Sequence, residues 1–313
     1  MAQPSETFDT YDSIGEREDL SDVIYNISPT DTPFLSSAAK TQATAVLHEW
    51  QTDSLAAAVT NNAVIEGDEA TADAVTATTR LSNSSQILDK VVTITGTQEA
   101  VDKAGRASEI AYQIAKKAKE LKRDLESSLT SNNVEVTGSA SAARVLGGLG
   151  SWVATNDVFG SGGASGGLGN TARTNGTQRA FTEAQLKSVI KSVWNAGGNP
   201  QIIMVGPFNK QKLSGFTGNS TRFDAGADAT LYTSVDVYAS DFGQTQVIPN
   251  RFSRDRDGWV LDMDYWGVAF LRDFSMHELA KTGDTEKRQL LVECTLESRN
   301  EGASGLIADL TTS

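Results

Sequence analysis

The chain has 313 residues, 27 of them Lys or Arg and 40 Asp or Glu, which gives a formal net charge of -13. This acidity argues against a dedicated nucleic-acid binder, because phosphate binding needs clustered Lys and Arg. One cysteine, Cys294, excludes an internal disulfide, and we expect it to be a small buried side chain. With only His48 and His277 as histidines, no zinc centre, nucleophilic triad or other cofactor site is expected.

Residues 1–45 are predicted to form an extended arm. The spacing of apolar residues over 16–27 predicts one short helix, which Pro29 and Pro33 then end. Phe34 follows as an apolar anchor, and such an arm usually needs another surface to lie on. The opening residues lack a signal-peptide pattern, and no window of about 18 apolar residues predicts a membrane span, so we expect synthesis in a cytoplasm.

Residues 46–95 are predicted to be two strands that flank a loose tip. The strand-prone runs are residues 46–51 and 82–95, and the segment between them has few large side chains. It cannot pack a core of its own, and a long two-stranded excursion is marginal alone in water. This segment indicates a protein that borrows surface from other molecules.

Residues 97–131 are predicted to form one helix about 50 Å long. Its apolar stripe repeats at spacings of three and four, at Ala104, Ala107, Ala111, Ile114, Ala118, Leu121 and Leu125. Lysines and arginines cluster mostly off this stripe. They are interpreted either as a solvated face or as a contact for an acidic neighbouring subunit.

Residues 132–181 are rich in glycine and are predicted to be a flexible surface loop. They lack the lysine of a phosphate-binding loop and the strand–helix context of a dinucleotide site. Residues 182–218 predict a helix, a buried strand and a second helix, an order typical of an α+β or α/β layer. Several strands are expected over 230–300 in one central sheet, with a hairpin turn at Asp255–Gly258.

Two features could suggest an enzyme. Asp262 and Asp264 form a possible carboxylate pair, and His277 precedes Glu278, but solvated turns explain both more simply. A soluble α/β enzyme therefore remains a less favoured alternative. A secreted adhesin or tail fibre is disfavoured by the missing signal peptide and the long charged helix.

The order of elements, together with five segments, resembles the Hong Kong 97-type fold of tailed-phage capsid proteins and, more narrowly, the SU-type phage major capsid family. The segments are 7–11, 19–34, 187–205, 250–252 and 262–265, and Asn26 to Phe34, with the sequence NISPTDTPF, is the most specific. The resemblance implies an α+β fold with an N-terminal arm, an extended hairpin called the E-loop, a peripheral domain built on a long spine helix, and an axial domain.

The resemblance also implies boundaries for these parts. Residues 1–45 would be the N-arm and 46–95 the E-loop. Residues 96–181 would be the peripheral domain with its spine helix and glycine-rich loop, 182–284 the axial domain, and 285–313 a return to the peripheral domain.

In function, the resemblance implies a major capsid protein and not an enzyme. Pentamers and hexamers would form an icosahedral shell around double-stranded DNA without sequence-specific binding, assembled in the host cytoplasm, with portal, scaffold and decoration proteins as partners. An encapsulin-like compartment shell shares the fold and remains an alternative. No lysine lies between Lys40 and Lys90, so the E-loop lacks the nucleophile with which some relatives join subunits covalently, and non-covalent assembly is expected.

Ion pairs between subunits are expected between basic side chains and carboxylates of the hairpin or arm. The candidate inter-subunit contacts are Phe34, Trp50, Asp68, Glu69, Arg80, Arg106, Lys116 and Arg123.

Overall fold

A computed structural model describes residues 30–69, 72–216 and 236–313. Its helices are α1 (Pro33–Ser37), α2 (Gly96–Ala100), α3 (Glu109–Leu129), α4 (Leu149–Trp152), α5 (Glu183–Asn195) and α6 (Pro207–Ser214). Its strands are β1 (Ala39–Gln42), β2 (Leu47–Thr52), β3 (Thr79–Ser84), β4 (Gln86–Thr95), β5 (Asp157–Val158), β6 (Ile202–Val205), β7 (Val237–Ser240), β8 (Gly243–Pro249), β9 (Gly258–Leu261), β10 (Trp266–Leu279), β11 (Thr285–Ser298) and β12 (Gly305–Ile307).

These elements confirm the α+β class. The helix predicted over 16–27 lies outside the described residues, as do residues 233–235 of a predicted strand. In the described ranges, no helix is long and apolar enough to cross a membrane.

The first sheet has four strands in the order β1-β10-β11-β4. Strands β10 and β11 run antiparallel over 14 residues each, and helix α3 packs against β4 and β11. Leu121, Leu125 and Leu129 are the apolar residues of α3 that are fully buried against this sheet and its surroundings. Cys294 on β11 is also fully buried, and burial raises the pKa of its thiol to about 12, so the prediction of a small buried side chain is confirmed.

The prediction of one continuous helix over 97–131 is wrong. Helix α2 ends at Ala100 and α3 begins at Glu109, so the long helix has 21 residues. Val101 is the extended C-cap of α2, Gly105 adopts a left-handed φ of +76° in the connection, and Ser108 caps α3 by accepting the N–H of Ala111. The apolar period continues across the break, and periodicity alone could not reveal it.

The second sheet has six strands in the order β5-β12-β9-β6-β8-β7. The predicted helix–strand–helix order is confirmed by α5, β6 and α6. Thr182 and Gln185 form a reciprocal capping box that starts α5. The predicted apolar face of α5 is buried against this sheet, through Leu186, Val189, Ile190 and Val193.

The strands of residues 230–300 belong to two sheets, not to one central sheet. Strand β6 lies between β8 and β9, so the turn at Asp255–Gly258 does not close a hairpin. Strand β10 belongs to the first sheet and β12 to the second, and the predicted boundaries of the peripheral and axial domains stay a prediction.

The glycine-rich residues 132–181 are not a flexible surface loop. Leu146, Leu149 and Trp152 are fully buried within them and contribute to the main core. The glycines permit close approach: a Cβ at Gly148 would lie 2.5 Å from Ser131 Oγ, and one at Gly169 would lie 2.8 Å from the Trp152 ring. The composition predicted flexibility, whereas here glycine allows tight packing.

Candidate functional site: a docked hairpin and a basic helix

Strands β2 and β3 form a hairpin with a paired base and an unpaired tip. Pairing runs from Leu47 opposite Ser84 to Thr52 opposite Thr79. Beyond it, the described residues 53–69 and 72–78 have no helix or strand and are exposed. Large apolar side chains of this tip are 71% to 99% exposed, namely Leu55, Val59, Val64, Ile65 and Val75. Such an apolar surface marks an interaction site.

The base of the hairpin is held firmly on its own chain. Trp50 Nε1 donates a hydrogen bond of 2.7 Å to Ser298 O, and its ring centroid lies 5.4 Å from that of Trp152. Asn83 is fully buried and donates through Nδ2 to Leu296 O at 2.8 Å. Its Oδ1 accepts the N–H of Gly147 at 2.8 Å. The base of the hairpin is therefore fixed on its own chain, whereas the tip is exposed.

A carboxylate on β11 also fixes the hairpin base. Glu297 accepts from Thr41 Oγ1 at 3.0 Å and from Arg299 Nε at 3.1 Å, and His48 Nε2 lies 3.6 Å from its Oε2. These contacts lower the pKa of Glu297 to about 2, and the contact with His48 has the largest effect. Burial alone would raise this pKa. The ionised carboxylate of Glu297 therefore connects β11 with the hairpin, through His48, and with β1, through Thr41.

We expect this carboxylate to make the stability of the subunit depend on pH. A lowered folded-state pKa gives a contribution that is complete above the ordinary value and is lost as the pH falls from about 4.5 towards 2, at most about 3 kcal/mol. The free energy of unfolding of Glu297→Gln should therefore approach that of the wild type below this window and differ most above it. Urea unfolding from pH 2 to 7 measures this difference, with Glu66→Gln at the exposed tip as the control. A difference that does not change with pH would contradict this role.

Helix α3 carries the densest group of basic side chains among the described residues. Some of them are already engaged: Lys117 Nζ pairs with Glu120 Oε2 at 2.7 Å, and the Arg123 guanidinium lies 5.2 Å from the centroid of the Phe252 ring. Lys116 and Lys119 are exposed and are three residues apart, so they share one face of the helix. This face is available to an acidic partner.

The structure places the predicted contact residues in different surroundings. Phe34 is 1% exposed and packs in the core of its own chain, so its surface is not available to a second copy. Arg80 is largely exposed and lies 3.5 Å from Glu49 of the same hairpin. Arg106 pairs with Glu109 at the start of α3.

Four of the remaining predicted residues divide between the tip and the helix. Asp68 and Glu69 lie on the exposed tip, and Lys116 and Arg123 lie on α3. Trp50 belongs to the docked base instead. Within one chain, the structure brings none of the acidic tip residues into an ion pair with the basic helix.

Sequence reasoning missed Glu126, which connects three parts of the chain. Its fully buried carboxylate accepts the backbone N–H of Phe34 and of Leu35, both at 2.8 Å, and Asn250 Nδ2 at 2.7 Å. Burial raises the pKa of Glu126, and these three hydrogen bonds act in the opposite direction. One glutamate in a helix with many charges gave no signal that it would be buried.

The residues considered for an enzyme have structural roles. Asp262 accepts the N–H of Asn199 at 2.9 Å and that of Asp264 at 3.3 Å, and it caps a short 3-10 turn. His277 is exposed and hydrogen bonds to Ser275 at 3.1 Å. The described part of the chain contains no group of three or more His, Cys, Asp or Glu that could hold a metal ion.

A family of known sequences and a curated relative both match this protein over nearly the whole length of its chain. The family described as "SU10 major capsid protein" matches residues 3–311. A major capsid protein of Escherichia phage Phieco32 is 30% identical over an alignment of 352 positions, gaps included, which covers 98% of this chain and 97% of the relative.

Solved structures match at the level of the fold. The capsid asymmetric unit of cyanophage A-1(L) superposes with a TM-score of 0.68 and 14% identity, covering 95% of this chain and 98% of that one. The holo-SrpI encapsulin complex of Synechococcus elongatus PCC 7942 gives a TM-score of 0.53 and 12% identity, covering 93% and 94%. The fold is therefore the Hong Kong 97-type capsid fold, and the chain belongs to the SU10 major capsid protein family.

Proposed function

We propose that this chain self-assembles into pentamers and hexamers, which close into an icosahedral shell around double-stranded DNA in the host cytoplasm. The observation that carries the proposal is a hairpin with a base fixed on its own chain and a tip that exposes large apolar side chains. In a member of a capsid family, such a tip fits the surface of a neighbouring copy. The chain is then a structural protein and not an enzyme.

Charge suggests where the tip docks. Between Lys40 and Arg80 the sequence has no Lys or Arg but six carboxylates, at Glu49, Asp53, Glu66, Asp68, Glu69 and Asp73. The exposed lysines of α3 have the opposite sign, so we infer that the tip of one copy lies along α3 of its neighbour. Each contact is weak, because exposed ion pairs contribute about 0–1 kcal/mol. Repetition around a closed shell makes the assembly stable.

The proposed partners follow from the acidic balance of the chain. A net charge of -13 favours enclosing DNA over gripping it, so no sequence-specific binding is proposed. Portal, scaffold and decoration proteins are proposed as further partners of the shell. Since the hairpin has no lysine, assembly is non-covalent, and boiled particles should run as single chains on a denaturing gel.

The likeness to an encapsulin complex supports one alternative, a compartment shell that encloses protein. Electron microscopy of purified particles, combined with analysis of their nuclease-protected contents, separates the two. Closed icosahedral particles that contain double-stranded DNA are the expected result. Particles with a protein cargo and no nucleic acid would support the compartment, and a chain that stays monomeric at all concentrations would contradict both.

A further inference from the structure

A second group of charged residues lies away from the hairpin, where the glycine-rich region meets the β8–β9 connection and the C-terminal residues. Its cations are Arg173, Arg179, Arg254 and Arg256, and its carboxylates are Asp257 and Asp309. We call this group the arginine cluster. Arg173 is 2% exposed and both aspartates are fully buried, whereas Arg179, Arg254 and Arg256 are partly exposed, so the cluster extends from the protein interior to the surface.

The aspartates are held in fixed positions. Asp257 Oδ1 accepts from Arg173 Nη2 at 2.5 Å, and Asp309 Oδ1 accepts from Arg256 Nη2 at 2.7 Å. Arg254 Nη1 lies 3.3 Å from Asp257 Oδ2. Asp309 adopts φ +60°, and its Oδ2 accepts the N–H of Gly160 at 3.1 Å. Each aspartate therefore already pairs with at least one guanidinium group of the cluster, and Asp257 Oδ2 has ion-pair contact but no hydrogen bond among the described residues.

The cluster has more cations than carboxylates. Four arginines against two aspartates leave two positive charges, and cations are still in excess if Asp157, which is close enough to feel the charge of Arg173, is counted as a third carboxylate. Six buried guanidinium nitrogens of the cluster have no hydrogen-bond acceptor among the described residues: Arg173 Nε and Nη1, Arg179 Nε and Nη2, Arg254 Nη1 and Arg256 Nε. Of these, Arg173 Nη1 and Arg254 Nη1 lie 3.7 and 3.3 Å from an aspartate oxygen, so four have no described carboxylate at ion-pair distance. Buried donors without acceptors are costly and rare in folded proteins, so they indicate an oxyanion supplied from elsewhere.

One segment of this chain has the matching charge. Residues 9–22 carry six carboxylates and one cation, Arg17, for a net charge of -5. The described chain also begins near the cluster. Phe34 N and Asn250 Nδ2 both bind Glu126 Oε1, and Arg254 lies four residues after Asn250, a separation of at most about 15 Å.

We propose that carboxylates of residues 9–22 bind the guanidinium groups of the arginine cluster. The segment can come from the same chain or from a neighbouring copy, since a 20-residue extended connection spans up to about 70 Å. Carboxylates would accept the unused N–H groups and neutralise the excess charge. This binding goes beyond the shell function and does not depend on it.

Arg179 is the residue that tests this binding. Its backbone N–H donates to Asp309 O at 2.7 Å and its carbonyl accepts from Thr311 N at 2.9 Å, and both bonds survive a side-chain substitution. Neither Nε nor Nη2 of Arg179 has a hydrogen-bond acceptor among the described residues, and burial lowers the pKa of its guanidinium group. Arg179→Gln should therefore leave the melting temperature of the subunit unchanged or raise it, while loosening the acidic segment.

Trypsin reports on that segment directly, because Arg17 is the only Lys or Arg among residues 1–39. The full chain is treated with trypsin, and cleavage after Arg17 is followed by mass spectrometry. We expect cleavage about tenfold faster in Arg179→Gln than in the wild type, the effect of losing a charged hydrogen bond. Arg251→Gln, an exposed site with the same change in charge, should match the wild type.

A second variant removes carboxylates from residues 9–22 and leaves the arginine cluster intact. Asp9→Asn, Asp12→Asn and Asp22→Asn together should also speed cleavage, and they leave the residues next to Arg17 intact. Protection that is independent of chain concentration assigns the segment to its own chain, and protection that grows with concentration assigns it to a neighbour. Equal cleavage rates in the wild type and in both of these variants would overturn the proposal.

Discussion

Replacing Glu66, Asp68 and Glu69 by lysine is expected to abolish shell assembly while each subunit stays folded. All three lie on the exposed tip, where they make no ion pair with the part of their own chain that the structure describes, so the fold should not depend on them. At the proposed contact they would face Lys116 and Lys119 of a neighbour. Reversal turns attraction into repulsion, a change of about 1–2 kcal/mol for each contact, which is repeated over the whole shell.

The measurement is light scattering with electron microscopy over a range of salt concentrations, alongside thermal unfolding of the subunit. The neutral variant Glu66→Gln, Asp68→Asn and Glu69→Gln should weaken assembly less, because it removes attraction without adding repulsion. Adding Lys116→Glu and Lys119→Glu to the reversed tip should restore particles. Screening by salt should reduce both the defect and the rescue. Normal assembly of the reversed tip, or no rescue, would place the tip on another surface.

The sequence was most informative where local chemistry decides the structure. Helix α5 was predictable because Thr182 and Gln185 supply both halves of a capping box and four apolar residues follow at helical spacing. Strand β6 and helix α6 were predictable because Gly206 and Pro207 separate a short apolar run from a helix start. These signals lie within a few residues of one another along the chain.

The sequence-based predictions were wrong where contacts between residues far apart along the chain determine the structure. The connection between α2 and α3 contains Gly105 in a left-handed conformation, and the N–H of Glu109 donates to Glu99 Oε2 at 3.0 Å across the break. The glycine-rich region is packed because Trp152 and its neighbours fill the core around it. Composition does not distinguish glycine needed for close packing from glycine that confers flexibility.

The candidate site was half predictable. A tip that cannot pack a core of its own and is rich in carboxylates could be recognised from composition, as could the basic helix. The docking of the base could not, because Asn83 bonds to residues 64 and 213 positions away along the chain. The same reason explains why Phe34 was taken for an inter-subunit contact: an apolar anchor after an arm does not reveal which chain it anchors to.

Removing the carboxylate of Glu126 is expected to cost the subunit about 3–5 kcal/mol of its free energy of unfolding, since each buried donor that loses its acceptor costs about 1–3 kcal/mol. Glu126→Ala leaves the N–H groups of Phe34 and Leu35 and the amide of Asn250 buried without their acceptor. Glu126→Gln should cost less, since one oxygen can still accept, although its NH₂ group then faces a donor. Urea unfolding of unassembled subunits measures both.

Glu120→Ala is the control, because Glu120 lies on the same helix and only pairs with Lys117 near the surface, a contribution of about 0–1 kcal/mol. A double-mutant cycle with Phe34→Ala tests the mechanism. If Glu126 acts by holding α1 in place, the cost of both substitutions together should be smaller than the sum of the two, because releasing α1 already removes the Phe34 contacts. Strictly additive costs, or a cost for Glu126→Ala no larger than for the control, would show that the arm is anchored by apolar packing alone.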